Sequence, residues 1–256
     1  GTSFFETARY WGNNFNGNLN TAGANVNEFI PSISQWSTRR LPTIAGVNKI
    51  RFRAVSENGN NFFVDSIKIA TNFIQTPMQL TAAPEGFISS LNGNLNMPDS
   101  IRVYLRRITS PYGIVDSSLG VLDSVTKSAL VNFSGIESGV YYVSVKHRNS
   151  LETWSKAGGE SVTAGQPFAF DFTAGLSQAY GSNQTIGISG IACLFSGDVN
   201  YDGIIDAADL QQIDNDAIAF VTGYVQSDVD GNNFVDATDA SITDNNAANF
   251  VGIVRP

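Results

Sequence analysis

The sequence predicts a mainly β chain that closes with a small α-helical, metal-binding module. Three observations carry that expectation. Through the first three quarters of the chain, short runs alternate apolar with polar residues and are separated by turns rich in Gly and Asn. In the last sixty residues, one acidic twelve-residue pattern is written twice. Hydrophobic residues make up 42% of the chain and charged residues only 15%, as in an extracellular β protein, and a single cysteine leaves metal rather than an intrachain disulfide as the available staple.

Residues 1–75 read as strands. Ile50, Phe52 and Ala54 alternate with Arg51, Arg53 and Val55; the turn Glu57-Asn58-Gly59-Asn60-Asn61 follows, and Phe63, Asp65, Ile67 and Ile69 continue the return strand. The segments Ser34-Gln35-Trp36, Lys49-Ile50-Arg51-Phe52-Arg53 and Gly59-Asn60-Asn61-Phe62-Phe63-Val64-Asp65-Ser66-Ile67 together resemble the later half of jelly-roll modules in secreted bacterial proteins. Those modules are similar to carbohydrate-binding and adhesion domains. The resemblance implies a partial jelly-roll-like sandwich, because the eight strands of a jelly roll need about twice this length. Either the chain is the end of a longer protein, or another subunit supplies the missing strands by strand addition. Tyr10, Trp11, Phe15 and Trp36 could form a sugar-stacking platform; core packing is the commoner fate of aromatics in a sandwich.

Residues 76–195 read as a second β-sandwich. Ser100-Ile101-Arg102-Val103-Tyr104-Leu105-Arg106, Tyr141-Tyr142-Val143-Ser144-Val145-Lys146 and Phe168-Ala169-Phe170-Asp171-Phe172 alternate, and turns at Leu91-Asn92-Gly93-Asn94 and Ala157-Gly158-Gly159 punctuate them. The run from Ser110-Pro111-Tyr112 to His147-Arg148-Asn149-Ser150-Leu151-Glu152-Thr153-Trp154 resembles the immunoglobulin-like or transthyretin-like region that precedes duplicated calcium-loop repeats in secreted bacterial proteins. That resemblance implies a rigid spacer. His147, the only histidine, shares a strand face with Tyr141, Val143 and Val145 and reads as a satisfied edge residue rather than a catalytic base. Cys193, inside Ile191-Ala192-Cys193-Leu194-Phe195, reads as a buried, inert thiol.

Residues 196–256 contain the repeat. Asp198-Val199-Asn200-Tyr201-Asp202-Gly203-Ile204-Ile205-Asp206-Ala207-Ala208-Asp209 recurs thirty positions later as Asp228-Val229-Asp230-Gly231-Asn232-Asn233-Phe234-Val235-Asp236-Ala237-Thr238-Asp239. Oxygen-bearing side chains occupy places 1, 3, 5, 9 and 12 of both copies: Asp198, Asn200, Asp202, Asp206 and Asp209, then Asp228, Asp230, Asn232, Asp236 and Asp239. Place 7 offers a backbone carbonyl, from Ile204 and from Phe234. An EF-hand-type loop wraps a hard cation with this spacing, so two Ca2+ ions are expected. Place 6 must tolerate positive φ, as Gly203 and Asn233 do. From Asp198 onward there are eleven Asp and one Arg, whereas the rest of the chain is slightly basic, so the net charge of −8 is a local property of the repeat. Four carboxylates crowded into each loop repel one another, which predicts that cation binding and local folding are coupled.

A helix should follow each loop. Leu210, Ile213, Ala217 and Phe220 recur at helical steps, with Gly223 as the stop; Ala240, Thr243, Ala247 and Phe250 make a weaker face that should lean on the first. Ile205 and Val235, at place 8, should lie side by side if the loops pair. Asp214-Asn215-Asp216-Ala217 and Asp244-Asn245-Asn246-Ala247 read as solvated helix faces or as a shared recognition surface.

A loop and its exiting helix, duplicated after a short spacer across residues 198–254, resembles the dockerin module of secreted bacterial proteins. In that family paired calcium loops fold the module and its helices bind a cohesin on a scaffold or cell surface. The resemblance covers about a quarter of the chain. Place 12 is Asp here, where a typical EF-hand has Glu, and places 10 and 11, through which dockerins read their partner, hold Ala207-Ala208 and Ala237-Thr238.

These features exclude several classes of function. No His pair or Cys cluster offers a zinc site, and neither a nucleophile elbow nor a phosphate-cradling glycine loop is present. No catalytic residue is assigned. An isoelectric point near 4.5 speaks against nucleic acid. No apolar run is long enough to cross a bilayer, so no membrane insertion is expected, and a secretion signal would have been removed or would lie upstream. The expected role is a non-catalytic, calcium-binding attachment protein outside the cell or at its surface, partnered by a cohesin-like protein. The alternative is a subunit of a calcium-stabilised filament or surface layer that pairs with copies of itself; a glycan-binding or glycan-acting module is third.

Overall fold

A computed structural model of the chain describes residues 74–188 and 190–256. The chain divides into two compact units, Gly1–Asn72 and Phe73–Pro256. The strands, half jelly roll and aromatic platform expected before residue 74 lie outside the described residues.

The described unit is mainly β with two short helices. One sheet pairs β4 (Ser128–Ser134), β1 (Gln75–Thr81) and β8 (Phe168–Asp171) in that order. The other runs β3 (Ile114–Leu122), β2 (Asp99–Arg107), β5 (Gly139–His147) and β6 (Ser150–Trp154), with β7 (Glu160–Val162) also paired to β5. Alternation explains how these strands face each other. Along β2, Ile101, Val103 and Leu105 are buried while Arg102 is exposed and Tyr104 and Arg106 are half-buried. Met78 and Leu80 of β1, Val131 and Phe133 of β4, and Val143 and Val145 of β5 join them, so both sheets close on one core. β1 carries a proline although it is the central strand. Pro77 sits one residue before the parallel pairing with β8 begins at Met78, where its missing N–H leaves that ladder intact.

His147 is not an edge residue. It ends β5, an inner strand, and is buried, with its ring edge-on to Phe87 and 5.0 Å from it between centroids. The sequence pattern gave its face but not its neighbours, because β6 and β2 lie on either side of β5. Cys193 is buried in β10 (Ala192–Cys193), which pairs with β9 (Thr185–Ile186), and burial pushes its thiol up to about 12, consistent with an inert side chain.

Helices α1 (Ala207–Ile218) and α2 (Ala237–Ala248) follow the two loops. They end earlier than the periodicity suggests. Phe220 and Phe250 lie beyond the helices at φ 54 and 53, and are 86% and 91% exposed, so neither belongs to an apolar helix face. Ile213 of α1 packs with Val199, Val229 and Val235, and Ala240 and Ile242 of α2 flank the same cluster. α2 also leans on the sandwich: buried Asn246 donates to Ser196 O and to Glu85 Oε2, both at 2.8 Å. The two four-residue repeats beyond the loops therefore part company. Asp214, Asn215, Asp244 and Asn245 are exposed, whereas Asn246 is a docking residue.

Candidate metal centre

Each loop is held by the same three devices. The place 9 aspartates, Asp206 and Asp236, are the N-caps of α1 and α2, accepting from the N–H of Ala208 and of Thr238 at 2.7 Å. The place 12 aspartates are the N3 residues of the same helices and complete capping boxes. Asp209 Oδ1 accepts from Val199 N and Asn200 N, and its Oδ2 from Asp206 N; Asp239 repeats this with Val229 N, Asp230 N and Asp236 N. A shorter aspartate suits place 12 for this reason, since its carboxylate ties the start of the loop to the start of the helix. The positive φ at place 6 is present in both copies, 90 at Gly203 and 70 at Asn233.

The loops do not lie against each other through place 8. Ile205 N donates to Val251 O at 2.9 Å and Val235 N to Val221 O at 3.1 Å. Each loop is thus bridged to the segment leaving the other repeat's helix, and the exchange is reciprocal: Ile253 N donates to Gly203 O, and Gly223 N to Asn233 O. Ile205 packs with Leu151 and Val251, while Val235 packs with Val199, Ile213 and Val229, so the expected side-by-side pair is replaced by two separate contacts. Both place 8 residues are buried, but each pairs with the segment that leaves the other repeat's helix, whose sequence carries no pairing signal.

The donor set fits a hard cation. In the second loop Asp228, Asp230 and Asp239 are buried, and one carboxylate oxygen of each lies within 4.8 Å of the others. Two oxygens bound to one calcium at about 2.4 Å can be separated by at most about 4.8 Å, so these three can share an ion. Burial, with Asp239 close by, pushes Asp230 up to about 6. In the first loop burial, with Asp209 and Asp202 nearby, pushes Asp198 up to about 6. Among the described residues neither Asp198 nor Asp230 has an ion-pair partner to keep it ionised, and a divalent cation would supply that counter-charge. Asn200 and Asn232 make turns with Asp202 and Asp230, and the exposed Asn200, Asp202, Asp206, Asn232 and Asp236 complete the two rims. The place 7 residues Ile204 and Phe234 are exposed, with Ile204 bridged to Gly252 and Phe234 to Thr222.

The socket that receives the module has no local signature in the sequence. The turn between β5 and β6 inserts Arg148 and Asn149 beneath the second loop: Asn149 Nδ2 donates to Asp228 O at 2.7 Å, and Arg148 Nη2 lies 3.0 Å from Asp228 Oδ2. Asn96 Nδ2 donates to Asp230 O at 2.8 Å. On the other flank, buried Glu152 meets Arg106 at 2.8 Å, Lys146 at 3.2 Å and Arg255 at 3.7 Å, beside a cavity of about 40 Å³ that Asp198 and Asp202 also line. β6 is buried along its whole length although Ser150, Glu152 and Thr153 are polar, so its sequence does not announce this contact.

No protein-family model matches the chain, and no curated protein matches it. Similar solved structures include two mutants of a type II cohesin–X-dockerin complex from Acetivibrio cellulolyticus. For the C-terminal interface mutant the identity is 17% and the TM-score 0.41, over 70% of this chain and 97% of that one. For the N-terminal interface mutant they are 14% and 0.36, over 70% and 99%. Among the described residues no helix is long and apolar enough to cross a membrane.

Proposed function

We propose that this chain is a non-catalytic attachment protein in which two Ca2+ ions fold a dockerin-like C-terminal module, borne on a β-sandwich, for association with a cohesin-like protein outside the cell. The observation that carries the reading is the buried triad of Asp228, Asp230 and Asp239, at places 1, 3 and 12 of a loop whose ligand pattern is repeated thirty residues earlier. Asp198, Asn200, Asp202, the Ile204 carbonyl, Asp206 and Asp209 would hold the first ion. Asp228, Asp230, Asn232, the Phe234 carbonyl, Asp236 and Asp239 would hold the second. The exposed Phe220 and Phe250, at matching positions of the repeat, offer apolar anchors of the kind a protein partner covers.

Light scattering and far-ultraviolet circular dichroism of the full chain, with calcium and with chelator, test this reading. The expected result is a monomer in both conditions whose helical signal falls on chelation. Calcium-driven growth into long polymers would instead support a filament subunit built from copies of the chain, and an unchanged spectrum would contradict a calcium-folded module.

A further inference from the structure

The two loops share a ligand pattern but differ in what stands behind the place 1 carboxylate. Asp198 Oδ1 accepts from Gly203 N at 3.5 Å, and among the described residues no sandwich side chain hydrogen-bonds to a ligand of this loop; Lys146 acts on Asp198 only at longer range. In the second loop, Asp228 Oδ1 accepts from Asn232 N at 3.0 Å, while Oδ2 is held by Arg148 Nη2 at 3.0 Å.

Arg148 is itself fixed from several sides. Nε donates to Asp99 Oδ2 at 2.7 Å, Nη1 donates to Val225 O, and the guanidinium lies 4.6 Å from the Tyr224 ring centroid and 5.1 Å from that of Phe87. Tyr224 also donates to Asp99. The Asp99 carboxylate offsets the guanidinium charge, so Arg148 does not stand as an uncompensated positive charge beside a cation site. It occupies Oδ2 of Asp228, so Oδ1, which accepts from Asn232 N within the loop, is the oxygen that a metal there would take.

We propose that the second loop is a clamp, in which a cation bound there tightens the attachment of the helical module to the sandwich through Arg148, while a cation in the first loop serves the module alone. This rests on the calcium reading above. Arg148 is a positioning residue: it orients Asp228, and outer partners of metal ligands typically change affinity by about 10- to 100-fold. Linkage makes the effect reciprocal, so the cation must strengthen the contact that strengthens the cation. Burial of the neighbouring loop against the sandwich supports the same role. A Cβ on Gly86 would lie 2.5 Å from Val229 O, and one on Gly231 2.5 Å from the Phe87 ring, so second loop and sandwich already touch at backbone distance.

The test is calcium titration of the full chain by calorimetry, together with amide hydrogen exchange of residues 84–96 and 147–151. In the wild type, calcium should slow exchange in both segments. R148M should weaken one of two sites by about 10- to 100-fold, leave the other unchanged, and abolish the calcium-dependent slowing there while keeping it in α1. Equal weakening of both sites, or of neither, overturns the clamp. If R148M does not fold, D228N and D198N decide: D228N should remove the protection of residues 84–96 and D198N should leave it, and loss in both variants overturns the proposal. A wild-type chain that binds no calcium overturns the calcium reading first, and the clamp with it.

Discussion

The two loops are built alike and placed differently. Their N-caps have nearly the same backbone, φ −147 at Asp206 and −146 at Asp236, and their place 12 aspartates brace the same three N–H groups. Yet place 4 is Tyr201, 44% exposed, in one and Gly231, buried beneath Phe87, in the other. The repeat specifies how a cation could be held. The neighbours decide what holding it accomplishes: the first loop meets the sandwich through packing of Ile205 on Leu151, whereas ligands of the second are held by the sandwich side chains Arg148, Asn149 and Asn96.

Removing the place 12 brace should break both loops, but not equally. D209A and D239A each leave three backbone N–H groups without their acceptor and remove a proposed ligand, which should lower stability in calcium by about 3 kcal/mol or more in urea unfolding. D239A should be the worse, because Asp230 and Val229, which its target amides belong to, also contact the sandwich. Exchanging place 4 sharpens the comparison. G231Y puts a large side chain at φ 72 against Phe87 and should destabilise by about 1–3 kcal/mol, whereas Y201G should change stability by less than about 1 kcal/mol.

The loops should agree in their response to pH. Asp198 and Asp230 are each raised from an ordinary 3.8 to about 6, so without divalent cation the folded state retains protons that the unfolded state releases. Stability in chelator should therefore fall as pH rises from about 4 to about 6, and calcium should remove that fall at neutral pH. Melting curves across this range check the sign. The smallest effect is expected at Phe220 and Phe250: because both are exposed, F220A and F250A should shift stability by no more than about 0.5 kcal/mol, while weakening capture of a protein partner if the pair is a docking surface.

The sequence made the repeat legible because ligand spacing and helix capping are local. Asp206 and Asp209 lie within one turn of each other, and the same residues that spell a cation loop also spell a capping box. The strands with clean alternation, such as β2, were legible for the same reason. What the sequence hid is long-range. Leu151 under Ile205, Arg148 between Asp99 and Asp228, and Val251 bridged to Ile205 join segments far apart in the chain, and no local pattern records such pairings. Phe220 and Phe250 misled because they continue a helical spacing after the helix has ended at Ile218 or Ala248.

The most direct test of the calcium account is the number of calcium ions bound per full chain, measured by calorimetric titration after exhaustive chelation. The account predicts two, with D198N and D228N each removing one. No binding, or one ion that survives both substitutions, would contradict it.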